Sequence, residues 1–141
     1  MTIYLNMLQK TKFKIALYAT IFTILLVILG FWIYFASAQA RDYQRLADLR
    51  VWQNILASYY LQNGSYQIPN CDQGETLSQC LITKVGKSTI NNINDPINSG
   101  SYRYAVNNLS AEDYEIIFSL EAGIGGLSRG SYVLNKNGIQ R

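Results

Sequence analysis

The sequence has no histidine among its 141 residues. Histidine is the most common general acid or base in enzymes and the most common metal ligand, so its absence removes many catalytic and metal-binding arrangements. A phosphate-binding glycine loop ahead of a helix is also absent, because Gly123-Ile-Gly-Gly126 lies between two predicted strands and is typical of a turn. No nucleophile with a partner base and no carboxylate pair forms a catalytic motif. We therefore expect no enzyme activity and no cofactor.

Charge is scarce, at 15% of the residues, and no acidic residue precedes Asp42. Lys10, Lys12 and Lys14 are three of the 12 basic residues, and the basic residues that remain are as many as the nine acidic ones. The chain after the first 40 residues is therefore neutral overall. A neutral domain offers no basic surface, so nucleic acid is not an expected partner.

Proline is scarce as well, and neither Pro69 nor Pro96 interrupts the first part of the chain. Residues 13–35 carry a single charge and are otherwise apolar apart from Thr, Tyr and Gly. As a helix they reach roughly 34 Å, enough to cross a hydrocarbon core of about 30 Å. The lysines before and within the start of this run indicate a cytoplasmic N-terminus by the positive-inside rule. We predict a single-pass protein of the cell membrane, with a cytoplasmic segment at 1–12, a span at 13–35 and an extracytoplasmic domain at 36–141.

Residues 36–40, Ala-Ser-Ala-Gln-Ala, allow a second interpretation of this region. Small residues after a basic segment and an apolar run are typical of the cleavage site of a secretory signal. The apolar core of a signal has about 7–15 residues, which is shorter than the run found here, so an uncleaved anchor is favoured. Cleavage after Ala40 is the alternative, and it would release a soluble domain that begins at Arg41.

Apolar residues recur every three or four positions after the span, which is typical of one face of an amphipathic helix. No Pro or Gly lies in residues 41–50, so we predict one continuous helix from Phe13 to Asn63, with the span as its first part, 41–63 as its outer part and Asn63-Gly64 as its end. We predict that a long loop follows at 64–100, with one short helix at 76–82, and then three antiparallel strands within 101–135, where apolar residues alternate with period two. Neither the helix nor so small a sheet is stable alone in water, so we expect an α+β fold in which the helix packs on a three-stranded antiparallel sheet. The expected core residues are Leu46, Leu49, Trp52, Leu56, Tyr59, Tyr104, Ile116 and Phe118.

Only two cysteines are present, Cys71 and Cys80. Their position in a polar, turn-rich loop of an extracytoplasmic domain favours a disulfide over a metal site, which would need further ligands. Two free thiols in a reducing compartment are the alternative. The nearest acidic residues, Asp72, Glu75 and Asp95, are scattered and are expected to be solvated, so no metal site is predicted.

Several segments, in order along the chain, resemble those of one family. Arg45-Leu-Ala-Asp-Leu-Arg50 and Tyr59-Tyr-Leu-Gln-Asn-Gly-Ser-Tyr66 are similar to the helix-to-loop passage of type IV pilins and of the major pseudopilins of type II secretion. Asp95-Pro96, Tyr102-Arg-Tyr104 and Tyr114-Glu-Ile-Ile-Phe-Ser-Leu-Glu121 are similar to the loop-to-sheet passage of the same family. The resemblance implies a pilin-like fold and a structural role. Members of the family are inserted with the N-terminus inside, are trimmed by a prepilin peptidase, and pack their apolar helices into the centre of a fibre.

The apolar run departs from the family pattern. The processing motif Gly-Phe-Thr-Leu-x-Glu is missing, because alignment on Phe13 puts Lys12 at the glycine position and Leu17 at the glutamate position. In the family that buried carboxylate is thought to pair with the freed N-terminal amine of a neighbour, and a charge in a bilayer is costly unless it is paired. The calcium ion that some pseudopilins hold is not expected either, because residues 122–131 contain no acidic side chain.

Three functions remain as hypotheses. The first is a non-enzymatic, membrane-anchored pilin-like or pseudopilin-like subunit of a type IV pilus or a type II secretion-like fibre, including a minor, uncleaved member, which associates with copies of itself or with other pilin-like subunits. The second is a membrane-tethered extracytoplasmic binding or adaptor module that does not polymerise. The third is the secreted domain that cleavage after Ala40 would release.

Overall fold

The computed structural model describes the backbone of residues 2–85 and 93–141, and the side chains of residues 13–81 and 93–141. The elements in chain order are α1 (Thr2–Asn63), α2 (Leu77–Val85), β1 (Ala105–Leu109), β2 (Tyr114–Ile124), β3 (Leu127–Asn135) and β4 (Gly138–Gln140). Residues 86–92 of the predicted loop lie outside the described residues. The chain divides into two compact units, Met1–Ser37 and Ala38–Arg141.

Helix α1 contains no proline and only one glycine, so no residue within it breaks the backbone hydrogen-bonding pattern. It begins at Thr2, well before the predicted span, and ends at Asn63. Gly64 follows with φ 69°, and its N–H donates to the carbonyl of Tyr60 over 2.7 Å. A glycine in this left-handed conformation is a common helix terminator, as predicted from the Asn-Gly pair.

The part of α1 in the first unit is apolar and uncovered. Its side chains from Phe13 to Phe35 are exposed, and by length and composition the helix can cross a membrane. The hydroxyls of Thr20 and Thr23 each donate to the carbonyl four residues earlier, over 2.9 Å in both cases. These bonds satisfy the polar atoms within the helix itself, which suits an apolar surrounding.

The second unit contains one antiparallel sheet with strand order β1-β2-β3-β4. The prediction of three strands is wrong, because the Lys136-Asn137 turn is followed by the short strand β4. The first strand begins at Ala105, three residues later than the predicted alternation. Strands β2 and β3 also run further into the glycine-rich segment than predicted. They meet at a two-residue turn, Gly125-Gly126, whose two positive φ angles suit the twist of a hairpin.

The hydrophobic core lies between the outer part of α1 and one face of this sheet. Seven of the eight expected core residues are buried there: Leu49, Trp52, Leu56, Tyr59, Tyr104, Ile116 and Phe118. The eighth, Leu46, is partly buried at the edge of the same core. In antiparallel pairing with β3, Ile116 lies opposite Leu134 and Phe118 opposite Tyr132, so both strands present apolar side chains to the helix.

Residues 71–80, between helix α1 and the sheet, are held by a disulfide and by backbone hydrogen bonds to the start of the sheet. Cys71 and Cys80 are joined, with Cα atoms 5.2 Å apart. The backbone of Gly74, Glu75 and Leu77 hydrogen-bonds to that of Tyr104 and Val106. This pairing covers part of the outer edge of β1, which would otherwise present unpaired backbone groups.

Candidate functional site

Five charged residues form a cluster where α1 meets the sheet: Arg41, Asp42, Arg45, Asp95 and Glu121. We call this group the buried ion-pair cluster. Asp42 and Arg45 are fully buried, and Asp95 is nearly so. Three of the five come from two adjacent turns of α1, one from the loop before β1, and one from β2. The cluster therefore joins three separate parts of the second unit.

Arg45 is the centre of the cluster. Its Nε and Nη2 donate to the two carboxylate oxygens of Asp95 over 2.6 Å and 2.9 Å. Its Nη1 donates to Asp42 and to Glu121, over 2.7 Å in each case. Burial opposes the charge of the guanidinium, but the hydrogen bonds to Asp95, Glu121 and Asp42 outweigh it and raise the pKa of Arg45 above its ordinary value. The ring of Tyr102 lies 4.9 Å from the guanidinium carbon and covers its face.

Asp42 binds the backbone of β2. Its two carboxylate oxygens accept hydrogen bonds from the N–H groups of Glu121, Ala122 and Gly123 over 2.8–2.9 Å. These three N–H groups point the same way because the pairing of β2 with β3 is interrupted between Leu120 and Gly123. Such a bulge frees backbone donors that a regular strand would use, and consecutive N–H groups form a concave site for an anion.

Gly123 permits this bulge. Its φ is 90°, and a Cβ atom at this position would lie 2.6 Å from the carbonyl oxygen of Leu127. A side chain here would both strain the backbone and collide with the opposite strand. The bulge that binds Asp42 thus depends on a residue without a side chain.

Glu121 is shared between the two arginines. Arg41 donates to both of its oxygens, over 2.8 Å from Nε and 2.6 Å from Nη2, and Arg45 adds a third bond. Hydrogen bonds from Arg41, opposed by burial and supported by Arg45, lower the pKa of Glu121. Arg41 is the outermost member, with its side chain 30% exposed, whereas that of Glu121 is 9% exposed.

A neighbouring polar pair continues the cluster along α1. The hydroxyl of Tyr104 donates to Asp48 over 2.8 Å. Burial raises the pKa of the Asp48 carboxyl, the Tyr104 hydrogen bond opposes that rise, and the charge of Asp95 adds to it. Burial and the nearby carboxylates also raise the pKa of the Tyr104 hydroxyl well above its usual range.

The hydrogen bonds of the cluster fasten separate segments to one another. Two guanidinium groups face three carboxylates, and the three N–H groups of the bulge offset the excess negative charge. Each buried carboxylate accepts hydrogen bonds from two or more donors, which hold it in place. The cluster fixes the start of the outer part of α1 to β2 and to the loop before β1.

The prediction that Asp95 is solvated is wrong, because its carboxylate is buried against Arg45. A sequence signal for the cluster exists. The positions of Asp42 and Arg45 continue the three-and-four spacing of Leu49, Trp52 and Leu56, which places them on the buried face of α1. The partners of these charges, Asp95 and Glu121, lie too far along the chain for any local pattern to identify them.

The other predicted site residues lie elsewhere. Cys71 and Cys80 form the disulfide of the loop, and the carboxylate of Glu75 lies 3.5 Å from the sulfur of Cys80. These three residues are close enough to hold a metal ion in principle. Because both sulfurs are bonded to each other, neither is a thiolate, and metal binding by cysteine requires the thiolate. The arrangement is that of a structural disulfide.

Comparison of the chain with protein-family models, with curated proteins and with solved structures finds no match.

Proposed function

We propose that the chain is a non-enzymatic, membrane-anchored structural subunit of a fibre of the type IV pilus or type II secretion kind. The observation that carries the proposal is that one unbroken helix, α1, serves two purposes. Its residues 13–35 present only exposed side chains, nearly all apolar, while its later turns supply one wall of a folded domain. A fibre subunit needs both parts, an apolar helix for a bilayer or for neighbouring helices and a folded domain outside. We call the second unit, Ala38–Arg141, the head.

The exposed face of α1 in the second unit supports association with further copies. Tyr43, Ala47, Val51 and Leu61 are exposed, uncharged and on one side of the helix, where Arg50 is the one charged residue beside them. A solvated helix face is usually charged, whereas a face that packs on another helix is apolar or small. The resemblance of residues 45–66 to the helix-to-loop passage of pilins is a second, independent support.

The buried ion-pair cluster suits the same function. It fastens α1 to the sheet at the first turns of the head, so that a force along the helix would be carried directly into β2 and the loop before β1. Because its members pair with one another, the cluster needs no partner chain. It would be formed before and after assembly alike.

A membrane-tethered binding or adaptor module that does not polymerise is the second candidate. The observation that favours it is in the sequence, where Lys12 and Leu17 replace the glycine and the glutamate of the processing motif. A chain that is neither cleaved nor supplied with that carboxylate lacks two features on which assembly in the family depends. The head and its anchor would then present a surface to another protein at the membrane.

Site-specific photo-crosslinking in the native membrane distinguishes the two candidates. A photoreactive amino acid replaces Val51 on the exposed face of α1, and the matched control replaces Arg103, which is exposed and lies just before β1. We expect a ladder of multimers from position 51 and few from position 103. A product that stays monomeric from both positions would contradict the fibre function and support the tethered module.

Intact-mass and N-terminal analysis of the same material tests the anchor. An unprocessed mass in the membrane fraction is expected for an uncleaved subunit, and co-expression with a prepilin peptidase would leave that mass unchanged. A mature N-terminus at Arg41 in the soluble fraction would overturn the anchor and establish the secreted domain instead.

A further inference from the structure

We infer that the head has a binding site for a small anionic amphiphile, a free carboxylate with an apolar chain, in a groove between α1 and the end of the sheet. This inference does not depend on the proposed fibre function. Six aliphatic side chains line the groove: Leu46, Leu49, Ile124, Leu127, Leu134 and Ile139. We call it the aliphatic groove. Its volume of about 460 Å³ falls in the range of small-molecule sites, roughly 300–1,000 Å³.

The aliphatic groove belongs to the core but is open to solvent. Leu49 and Leu134 at its base are buried, whereas Leu46, Leu127 and Ile139 at its sides are only partly buried. An apolar group that enters such a concave site removes apolar surface from water, which is favourable. The groove therefore favours an occupant with an aliphatic part.

Glycines keep the groove open. Gly125 lies in the β2–β3 turn and Gly138 at the start of β4, and both line the groove. At each of them a Cβ atom would meet no other atom within 4 Å. The wall at these two turns consists of backbone alone, so the space beside them is free for a ligand.

Arg50 is the one charged residue among the groove-lining residues that the structure describes. It is exposed, and within the described part of the chain it has no ion pair or hydrogen bond, unlike Arg41 and Arg45 earlier on the same helix. The remaining polar side chain of the groove, Gln53, interacts with the hydroxyl of Tyr114 and carries no charge. An aliphatic surface with one free guanidinium at its rim complements a ligand that has one negative charge and an apolar chain.

A carboxylate ligand would place its two oxygens on the guanidinium of Arg50 and its chain along Leu46, Leu127 and Ile139. The guanidinium presents a planar fork of donors that matches a carboxylate in two parallel hydrogen bonds. A neutral amphiphile of the same length would keep the apolar contacts and lose the charged ones. Charge and chain length thus make separate contributions, which an experiment can separate.

Photo-affinity labelling of the full-length chain in lipid nanodiscs tests the inference. The probe is decanoic acid with a diazirine near the end of its chain, the competitor is unlabelled decanoate, and labelled peptides are mapped by mass spectrometry. We expect competed labelling in the segments that line the groove, at β2–β3 and β4. Labelling confined to residues 13–35 would mean that the probe reports only the bilayer, and it would overturn the inference.

Three variants and two further probes sharpen the test. Arg50→Gln should reduce labelling in the groove by roughly three- to five-fold, as expected for loss of one partly exposed ion pair. Ile139→Trp, which fills the groove, should abolish it. The matched control is Arg103→Gln, another exposed arginine, which lines a different groove and should leave labelling unchanged.

Two further probes show whether the charge of the ligand contributes to binding and whether the ligand is a free acid or a membrane phospholipid. A diazirine-labelled alcohol of the same length should label the groove as weakly as the acid labels Arg50→Gln, and equal labelling by acid and alcohol would overturn the role of Arg50. A phospholipid with the same diazirine in its acyl chain should label only residues 13–35. Labelling of the groove by the phospholipid in preference to the free acid would overturn the assignment to a free carboxylate. Circular dichroism of each variant verifies that the head is folded, and a second filling variant, Leu127→Trp, replaces Ile139→Trp if that one is not.

Discussion

Removal of one charge from the buried ion-pair cluster is the sharpest test of how the head is held together. Asp95→Asn keeps the size of the side chain and its acceptor oxygen, so the hydrogen bond that Asp95 accepts from the N–H of Ile97 can persist. It removes the negative charge that faces Arg45 across two bonds of 2.6 Å and 2.9 Å. The variant therefore isolates the ion pair from the turn that the same residue supports.

The expected cost follows from the burial of Arg45. Loss of one partner from a fully buried ion pair costs about 3–5 kcal/mol, because the other charge is left in a poorly solvated place. Arg45 keeps its bonds to Asp42 and Glu121. We therefore expect the lower end of that range, about 3 kcal/mol. Arg41→Gln, at the exposed rim of the same cluster, should cost less than about 1 kcal/mol.

Equilibrium unfolding in urea, with the full-length chain in a mild detergent, measures these values. Trp52 is completely buried in the head and serves as the reporter, in a background where the exposed Trp32 is replaced by Phe. A double-mutant cycle with Arg45→Met separates the ion pair from other effects of the substitution. In the Arg45→Met background, Asp95→Asn has no guanidinium to leave unpaired and should cost less than about 1 kcal/mol.

Two results would refute this reasoning. One is a cost of Asp95→Asn that is the same with and without Arg45, because the pair would then have no coupling. The other is a cost below about 0.5 kcal/mol in the wild-type background, the size of an ordinary surface substitution. Either result would mean that the pair of Arg45 and Asp95 does not fasten α1 to the loop before β1.

Three further predictions concern the loop, the bulge and the response to pH. Replacement of both Cys71 and Cys80 by Ser should lower the free energy of unfolding by about 2–3 kcal/mol, measured under the same urea conditions, and reduction of the wild type should reproduce that loss. Gly123→Ala should lower the thermal midpoint more than Gly125→Ala, because both residues have positive φ but only at Gly123 would the added Cβ collide with backbone; equal shifts would contradict the role of the bulge. The lowered pKa of Glu121 stabilises the fold above the ordinary carboxyl pKa of about 4.3, and this contribution is lost as the pH falls through the lowered value. The free energy of unfolding of Glu121→Gln should therefore be lower than that of the wild type at pH 7, and the two should converge in acid. A difference that stays constant down to pH 2 would show that folding does not lower the pKa of Glu121.

Local patterns in the sequence were enough for the elements that depend on neighbouring residues. The long run without proline predicts α1, the Asn63-Gly64 pair predicts its end, and the three-and-four spacing predicts the buried face that carries Leu49, Trp52 and Leu56. The α+β architecture follows because an amphipathic helix and a small sheet each have one face to cover. The strand count was wrong because β4 has only three residues, too few to show an alternation.

The buried ion-pair cluster depended on the tertiary structure. Asp42 and Arg45 were not predicted from the sequence as core residues, although they continue the spacing of the core. Whether a charged residue at a core position is buried depends on whether opposite charges and free backbone donors reach it, since an unpaired buried charge is too costly. Here those groups are Asp95 and the bulge at Glu121, 50 and 76 residues along the chain from Arg45. Hydrophobic periodicity is a local property that the sequence carries by itself, whereas the pairing of distant charges is decided only when the chain has folded.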